Sequence, residues 1–338
     1  PNTSTDSLFY KNFLASERGI RNFNQHSRIR NGLYLNSRYK DYYHFETGLI
    51  YDYNSFDLSG FSDQLNEVYL TFNGGINFKK RLSLNVDFYY GLLDVSNEFG
   101  LDAKAQLKLT ENQGFNFAFI ASRYRVNMVQ EKLYINESQF YDYNIDPIFL
   151  QTLKAEYYNE RLRIKLGGQI QNSFNFLYFD HLSLPAQDAG LYSVTMLYGQ
   201  WDLLINKLLI ENSAYLQNQN KTHINLPTLF TKNSISFYGN IFKGKMLLKA
   251  GIDFRYILSE RLPYYNPVIG QFYLNDSEGY RPYPMLDAKI SFKVSSFTTF
   301  LKYENLTSFL IEDVEQLVQG YPQFDARFRF GIQWNLWN

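Results

Sequence analysis

Histidine is the side chain best suited to proton transfer or metal binding, and this sequence has four: His26, His44, His181 and His223. A serine hydrolase would need one of them beside a serine and a carboxylate. The sequence, however, contains no Gly-x-Ser-x-Gly elbow. It also contains no cysteine, no His-Glu-x-x-His pair and no EF-hand loop. We therefore expect ordinary polar roles for the histidines, with no enzyme activity, cofactor or metal.

Charged side chains form a second candidate set because they alternate with apolar ones, which places them on one face of extended strands. The set comprises Arg30, Glu46, Asp87, Lys104, Lys108, Arg163, Lys165, Lys249, Asp253, Arg255, Asp287, Lys289, Lys293, Lys302, Glu304, Arg327 and Arg329. These residues either line a wet channel and set a weak solute preference, or pair with one another to brace an interior or contact a plug. Opposite signs at similar depth, as for Lys289 against Glu304, argue against strong selectivity for one ion.

A third set lies in the aromatic and proline-rich segment 260–284, where rings could bind a ligand. Its members are Tyr264, Tyr265, Phe272, Tyr273, Tyr280 and Tyr283, with Pro263, Pro267 and Pro282 between them. Such rings can stack on sugars or other flat apolar faces. The commoner outcome is a loop that folds over the mouth of a barrel and packs on itself, stiffened by its prolines.

The elements that must position these residues are strands, because apolar and polar residues alternate along the whole chain. The predicted strands are 19–36, 40–54, 65–78, 81–92, 99–110, 114–126, 147–158, 161–172, 190–201, 206–218, 232–242, 245–258, 284–295, 297–308 and 323–337. Most are about 11 to 15 residues long, well above the usual strand in soluble sheets and suited to crossing a bilayer at a tilt.

The predicted connections alternate strictly between two kinds. Tight turns fall at 78–81, 111–114, 159–161, 242–245 and 294–296, and long polar loops fall at 127–146, 173–189, 219–231, 259–283 and 309–322. Short turns on one side and long loops on the other are typical of a transmembrane barrel, with the turns in the periplasm. We therefore predict an all-β transmembrane antiparallel outer-membrane β-barrel of about 14 to 18 strands.

The alternation also orients the predicted barrel. The last strand must run inward and end in the periplasm, so the first predicted strand, 19–36, runs inward too. Bacterial single-chain barrels normally have an even number of strands with both ends periplasmic. We therefore expect residues 1–338 to be one barrel domain and the C-terminal part of a longer chain, unless a short strand hides in 7–14.

Composition agrees with a membrane barrel and excludes several other classes. Aromatic residues make up 18% of the 338 residues, whereas a disordered chain has few of them. Lys plus Arg and Asp plus Glu both number 33, so nothing indicates a nucleic-acid partner. The absence of cysteine fits an oxidising envelope compartment. We therefore expect localisation in a bacterial outer membrane.

The final predicted strand, "FDARFRFGIQWNLWN" (324–338), shows what each face would meet. Its apolar positions, such as Phe328 and Phe330, would contact acyl chains, while Arg327 and Arg329 would meet water in the lumen. Trp334 and Trp337 would join an aromatic girdle at the inner membrane interface. Outer-membrane lipid and lipopolysaccharide are the partners expected on the apolar side.

The last quarter of the chain resembles a known family in three stretches. These are "RLPYYNPVIGQFYLND" (261–276), "YPMLDAKISFKVSSFTTFLKYENLTSF" (283–309) and "GYPQFDARFRFGIQWNLWN" (320–338). Together they are similar to the C-terminal half of the "Putative porin" family of Bacteroidota outer membranes. The resemblance implies an outer-membrane barrel and indicates little about cargo.

The sequence favours porin-like passive diffusion of small hydrophilic solutes, with no chemical step. One alternative is a structural or binding subunit of a larger outer-membrane complex, which holds a protein partner at its extracellular loops. A second is the barrel of an energised, TonB-dependent type of transporter, whose plug would lie upstream of Pro1. A membrane-embedded hydrolase is the remaining alternative.

Overall fold

The computed structural model describes residues 23–40, 42–79, 81–135, 138–274, 284–311 and 316–336. The first half of the chain contains β1 (Asn24–Tyr39), β2 (Tyr43–Leu58), β3 (Phe61–Phe78), β4 (Leu82–Leu93), β5 (Phe99–Thr110), β6 (Gln113–Tyr124), helix α1 (Met128–Glu131), β7 (Lys132–Ile135), β8 (Ser138–Asp142), β9 (Ile148–Asn159) and β10 (Ile164–Phe174). Strands β7 and β8 form a hairpin inside the connection between β6 and β9.

The second half follows the same plan, with long strands separated by short hairpins in the loops. It contains β11 (Phe176–Phe179), β12 (Pro185–Asp188), β13 (Tyr192–Ile205), β14 (Leu208–Gln219), β15 (Leu229–Ile241), β16 (Met246–Leu258), β17 (Tyr264–Asn266), β18 (Gln271–Tyr273), β19 (Met285–Val294), β20 (Phe297–Glu304), a 3-10 helix (Leu306–Phe309), β21 (Gln316–Val318), β22 (Tyr321–Pro322) and β23 (Arg327–Trp334). Among the described residues, no helix has the length and apolar character needed to cross a membrane.

Fifteen of these strands form one antiparallel sheet, which confirms the predicted all-β fold. Their spatial order is β1-β2-β3-β4-β5-β6-β9-β10-β13-β14-β15-β16-β19-β20-β23, so each pairs with its neighbour along the chain. The remaining eight strands form four separate two-stranded hairpins. Within the described ranges, β1 and β23 are the two edges of the large sheet.

The two kinds of connection lie at opposite ends of the sheet. Tight turns join β1 to β2, β3 to β4, β5 to β6, β9 to β10, β13 to β14, β15 to β16 and β19 to β20. The opposite end carries the four hairpin-containing connections and three without a hairpin, including the turn between β2 and β3. We call these the short-turn end and the loop end. In an outer-membrane barrel the short-turn end faces the periplasm.

Several predicted strand boundaries are wrong, and four of them have a local reason. Strand β2 runs to Leu58 and β3 begins at Phe61, because Gly60 adopts a positive φ of 107° and closes a tight turn where the predicted strands left residues 55–64 between them. Strand β20 ends at Glu304 because Asn305 is left-handed, with φ 56°. Strand β23 begins only at Arg327, since the preceding backbone hydrogen-bonds to the 3-10 segment instead.

The register assigns the two faces of the sheet without ambiguity. Along the fifteen strands, the outward positions carry no Asp, Glu, Lys or Arg except Asp57 and Arg123, which both lie beside the loop end. The outward face instead exposes large apolar side chains, such as Leu33 at 77% and Phe330 at 71%. Such a surface is stable against acyl chains, whereas water would disfavour it.

Glycines on the inner face make room for aromatic rings from the adjacent strand. A Cβ on Gly167 would lie 2.4 Å from Cζ of Tyr198, and one on Gly100 would lie 2.1 Å from Cε1 of Tyr89. Each ring covers the backbone that the glycine leaves open, which pins the strand register. The Tyr198 hydroxyl then donates a hydrogen bond of 2.6 Å to Glu156.

Candidate functional site

The inner face of the sheet carries a network of ion pairs, and Asp287 on β19 is one of its centres. Its side chain is 1% exposed. Arg255 on β16 reaches it at 3.1 Å and Lys302 on β20 at 3.0 Å, from opposite sides. The backbone N–H of Asn305 donates a further hydrogen bond of 2.9 Å. Burying a carboxylate so far from water is costly unless hydrogen-bond donors and cations such as these compensate for the lost water.

Glu304 on β20 is a second centre, beside the edge strand β23. Lys302 lies 3.1 Å from one of its oxygens, and Arg327 and Arg329 lie 2.8 and 2.9 Å from the other. The sequence predicted all four residues for the water-facing side. The structure places them on one face and in mutual contact.

Lys289 has a different neighbour from the one expected. The sequence set it against Glu304, whereas its ammonium pairs with Asp253 on β16 and lies 3.2 Å from the Ser234 hydroxyl. In the actual register Lys289 stands opposite Lys302, so an attraction to Asp253 offsets the adjacent positive charge. The remaining inward cations of this region are Lys249, which spans β15 to reach Glu211 at 2.6 Å, and Lys232 and Lys293, which are both exposed.

Arg163 does not lie on a strand as predicted. It occupies the tight turn before β10, with a positive φ of 53°. Lys165, two residues later, points inward opposite Tyr158. Both line a cavity of about 500 Å³ together with Glu160 and Asp202 at the short-turn end. Arg163 therefore belongs to the rim, and its neighbours there include both charge signs.

Asp52 on β2 is an inner-face residue that the sequence reasoning missed. Its side chain is fully buried, and Arg28 and Arg30 on β1 both pair with it, Arg30 at 2.7 Å. The available signal was its spacing of six residues from Glu46, which places both on the same face. Two flanking tyrosines obscured the pattern.

The aromatic segment after β16 packs on itself. Tyr264 contacts Tyr273 and Tyr265 contacts Phe272 across the β17–β18 hairpin, with ring centroids 5.6 and 5.2 Å apart. Tyr265 also meets Tyr321 of the last loop, edge to face. These contacts correspond to the packing interpretation of the loop. Tyr280 and Tyr283 lie outside the described residues.

Hairpins from three separate loops share a small hydrophobic core at the loop end, and we call this assembly the canopy. Its buried members are Leu133, Ile135 and Tyr141 from β7–β8 and Phe179 from β11, with Val268, Ile269 and Tyr273 packed against them. The Leu274 N–H donates to the Phe179 carbonyl at 2.9 Å. Tyr134 stacks on Phe61, an inward position of β3, so the β7–β8 hairpin leans over the inner side of the sheet.

Asp188 at the end of β12 connects two loops through charge. Lys221 and the His223 imidazole, both from the loop between β14 and β15, lie 2.5 Å from one carboxylate oxygen. Hydrogen bonds from Lys221, His223 and the Gly190 N–H hold the pKa of Asp188 well below its usual range. His223 also stacks on Tyr178, with centroids 4.4 Å apart. Its position is a structural one within the loops.

Aromatic side chains mark the outer face at the short-turn end. Trp334 is outward and exposed, and it contacts Phe297 edge to face. The sequence named it for an interfacial girdle together with Trp337, which lies outside the described residues. Other exposed outward rings at this end are those of Tyr39, Tyr43, Phe78, Trp201 and Phe242. The girdle remains a prediction, with more candidate members than the sequence suggested.

A family comparison agrees with this architecture. The family described as "Putative porin" matches residues 1–338, and the chain belongs to that family. The match covers the whole chain, whereas the sequence resemblance was strong only over its last quarter. A β-barrel located in the bacterial outer membrane is therefore the class of protein that the fold and the family define. No curated protein matches the chain in sequence.

Solved outer-membrane proteins share the fold at low sequence identity. A ferric enterobactin receptor, PfeA from Pseudomonas aeruginosa, superposes with a TM-score of 0.62 and 12% identity over 93% of this chain and 54% of its own. The copper transporter OprC gives 0.67 and 9% over 94% and 58%. FpvAI, in a complex with pyocin S2, gives 0.64 and 9% over 94% and 50%. The chain thus spans about half the length of these proteins.

Proposed function

We propose that this chain forms the wall of a water-filled outer-membrane channel through which small hydrophilic solutes diffuse passively. The observation that carries the proposal is the difference in polarity between the two faces of the sheet. Ionised side chains follow the inner face from Asp52 on β2 to Arg329 on β23, while the outer face is apolar. A dry interior would not need so many charges, because each one buried away from water costs several kcal/mol unless it is paired.

The barrel of an energised transporter is the second candidate. It is favoured by the likeness to PfeA and OprC, which are named as a ferric enterobactin receptor and a copper transporter. A protein partner at the loop end is a further element of this proposal, since FpvAI was solved with a pyocin bound. The canopy supplies an ordered surface for such a partner, built from three loops.

Planar-bilayer recording of the full-length protein separates the two candidates. We expect steady ohmic current from the wild type. The double variant Arg327→Gln with Arg329→Gln removes two of the three cations that surround Glu304, so the inner face becomes more negative. We expect the reversal potential in a salt gradient to shift toward cation preference.

The matched control is the double variant Lys243→Gln with Lys245→Gln, which removes the same charge from the turn between β15 and β16. These residues lie outside the strand wall, so the reversal potential should stay near the wild-type value. Absence of current from wild type, with folding verified by heat-modifiable gel mobility, would contradict passive diffusion. That result would favour the transporter.

A further inference from the structure

A cavity of about 760 Å³ lies at the short-turn end, beneath the first five strands. Its lining residues are Lys40, Tyr42, Asn77, Lys79, Arg81, Leu82, Ser83, Gln106 and Lys108. Four of these residues are cations, and none of the lining residues that the structure describes is a carboxylate. The neutral side chains include the amides of Asn77 and Gln106 and the hydroxyls of Tyr42 and Ser83, all of which can donate hydrogen bonds. We call this cavity the basic vestibule.

The vestibule opens on the wet side of the sheet. Lys108 and Gln106 share the inward face of β5 with Lys104, and Ser83 shares the inward face of β4 with Asp87. Asn77 stands opposite Ser83 on β3. Acyl chains would lie on the opposite face, where Leu84 and Phe78 point. A ligand in this cavity therefore arrives from water in the lumen mouth.

Many cations elsewhere on the inner face, such as Lys289 and Arg255, pair with a carboxylate. Within the described part of the chain, none of the four vestibule cations forms an ion pair. Lys40 and Lys79 lie over the outward rings of Tyr39 and Phe78, at 5.4 and 5.2 Å from the centroids. These two cations therefore lie at the rim, between the lumen mouth and the outer face, and the ring contacts leave their charge in place.

Four like charges around one cavity raise the positive potential inside it. An oxyanion relieves that repulsion, and the planar guanidinium of Arg81 matches the geometry of phosphate oxygens. The carboxylates deeper along these strands, Glu46, Asp87 and Asp102, line a separate cavity. Asp102 is neutralised there by Lys104 at 2.7 Å.

We propose that the basic vestibule binds small soluble oxyanions of the phosphate type at the inner mouth of the channel. The proposal rests on the proposed function, and it names the class of solute that this mouth concentrates. Most charges of the β14 to β23 wall pair with one another, Lys232 and Lys293 excepted, so they set little preference. The vestibule therefore favours anions locally, although positive and negative residues are equal in number over the whole chain.

Lysine footprinting tests the vestibule without requiring any current. Full-length protein in phosphatidylcholine liposomes is acylated with a water-soluble reagent in inorganic phosphate or in chloride at equal ionic strength. The rate at each lysine is read by mass spectrometry. We expect phosphate to slow acylation of Lys79 and Lys108 about twofold at a concentration equal to its dissociation constant.

Lys207, Lys243 and Lys245 serve as internal controls, because they lie in turns at the same end of the sheet but outside the vestibule. Their rates should not differ between phosphate and chloride. In the variant Arg81→Gln with Lys79→Gln, protection of Lys108 should disappear. Equal protection of the control lysines, or no protection at Lys108 in wild type, would overturn the proposal.

A lipid headgroup offers the same phosphate chemistry, so a second arm uses phosphatidylglycerol liposomes in chloride. A cavity that opens to the lumen should give rates equal to those in phosphatidylcholine. Slower acylation of Lys79 and Lys108 in phosphatidylglycerol would assign the vestibule to lipid and overturn the soluble-anion proposal.

Conductance provides the third arm. The triple variant Lys79→Gln, Arg81→Gln and Lys108→Gln should lose anion preference in a chloride gradient, whereas Lys207→Gln, Lys243→Gln and Lys245→Gln together should retain it. Equal shifts in both would overturn the assignment to the vestibule. A wild type that passes no current contradicts the proposed function alone, because footprinting still decides whether the vestibule binds phosphate.

Discussion

The buried carboxylates of the inner face each hold at least two cations. Asp52 is shared by Arg28 and Arg30, and Asp287 by Arg255 and Lys302. The carboxylates are sealed from water while their partners remain partly exposed. Because an unpaired buried charge is costly, these acids brace the wall and orient the cations that water and solutes meet.

Replacing Asp287 by alanine should destabilise the barrel by about 2 to 3 kcal/mol, since Arg255 and Lys302 would lose their shared partner while each is only partly exposed. Urea unfolding in liposomes measures the loss. Asp102→Ala is the matched control, because Asp102 is only partly buried and pairs with the exposed Lys104, so its loss should cost below about 1 kcal/mol. Equal losses would contradict a special role for burial.

At the scale of the element, period-two alternation predicted the fifteen strands, their order and the alternating connections, because membrane strands must show one apolar face. It did not predict the eight short loop strands. Hairpins such as β7–β8 are held by contacts with distant loops, which no local pattern records. It also missed the extension of β3 back to Phe61, which depends on a positive φ at Gly60.

The sequence also did not predict which charged residues of the inner face pair with one another. Which cation meets which carboxylate depends on register, and register was not available from the alternation alone. Lys289 was therefore set against Glu304, whereas it pairs with Asp253. The face on which each residue lies was predictable, because it depends only on whether the residue's position along its strand is odd or even.

Which residues of β10 face the lipid and which face the lumen can be tested with one pair of substitutions in the middle of the strand. Ile170 points outward and is 46% exposed, whereas Gln171 points inward opposite Thr152. Ile170→Lys should destabilise the protein in liposomes by about 2 to 4 kcal/mol, because a charge would enter the hydrocarbon. Gln171→Lys should change stability by about 0.5 kcal/mol or less. Unfolding in urea measures both, and a larger effect for Gln171→Lys would reverse the two faces.

For the whole molecule, the sheet and the canopy meet different needs. In a bilayer every backbone donor and acceptor must be bonded, so the edges β1 and β23 cannot remain open to lipid. We expect both edges to be paired in the membrane. At the loop end, water can satisfy open backbone groups, and the canopy is ordered instead by its own core and by charge.

The stability of the loops around Asp188 should depend on pH, because the charge of its carboxylate holds them together. Hydrogen bonds from Lys221, His223 and the Gly190 N–H lower the pKa of Asp188. A carboxyl with a lowered pKa stabilises the folded loops above its ordinary value of about 3.9. That stabilisation is lost as pH falls below about 4 toward the lowered pKa.

Amide hydrogen exchange over residues 176–188 reports this change, with Asp188→Asn compared at each pH because intrinsic exchange rates also vary. At neutral pH the wild type should be better protected than Asp188→Asn, since only the carboxylate carries the charge that holds Lys221 and His223. The difference should shrink as pH falls below about 4. No difference between the two proteins at neutral pH would mean that packing of His223 on Tyr178, which the variant retains, positions the loops without help from the ion pair.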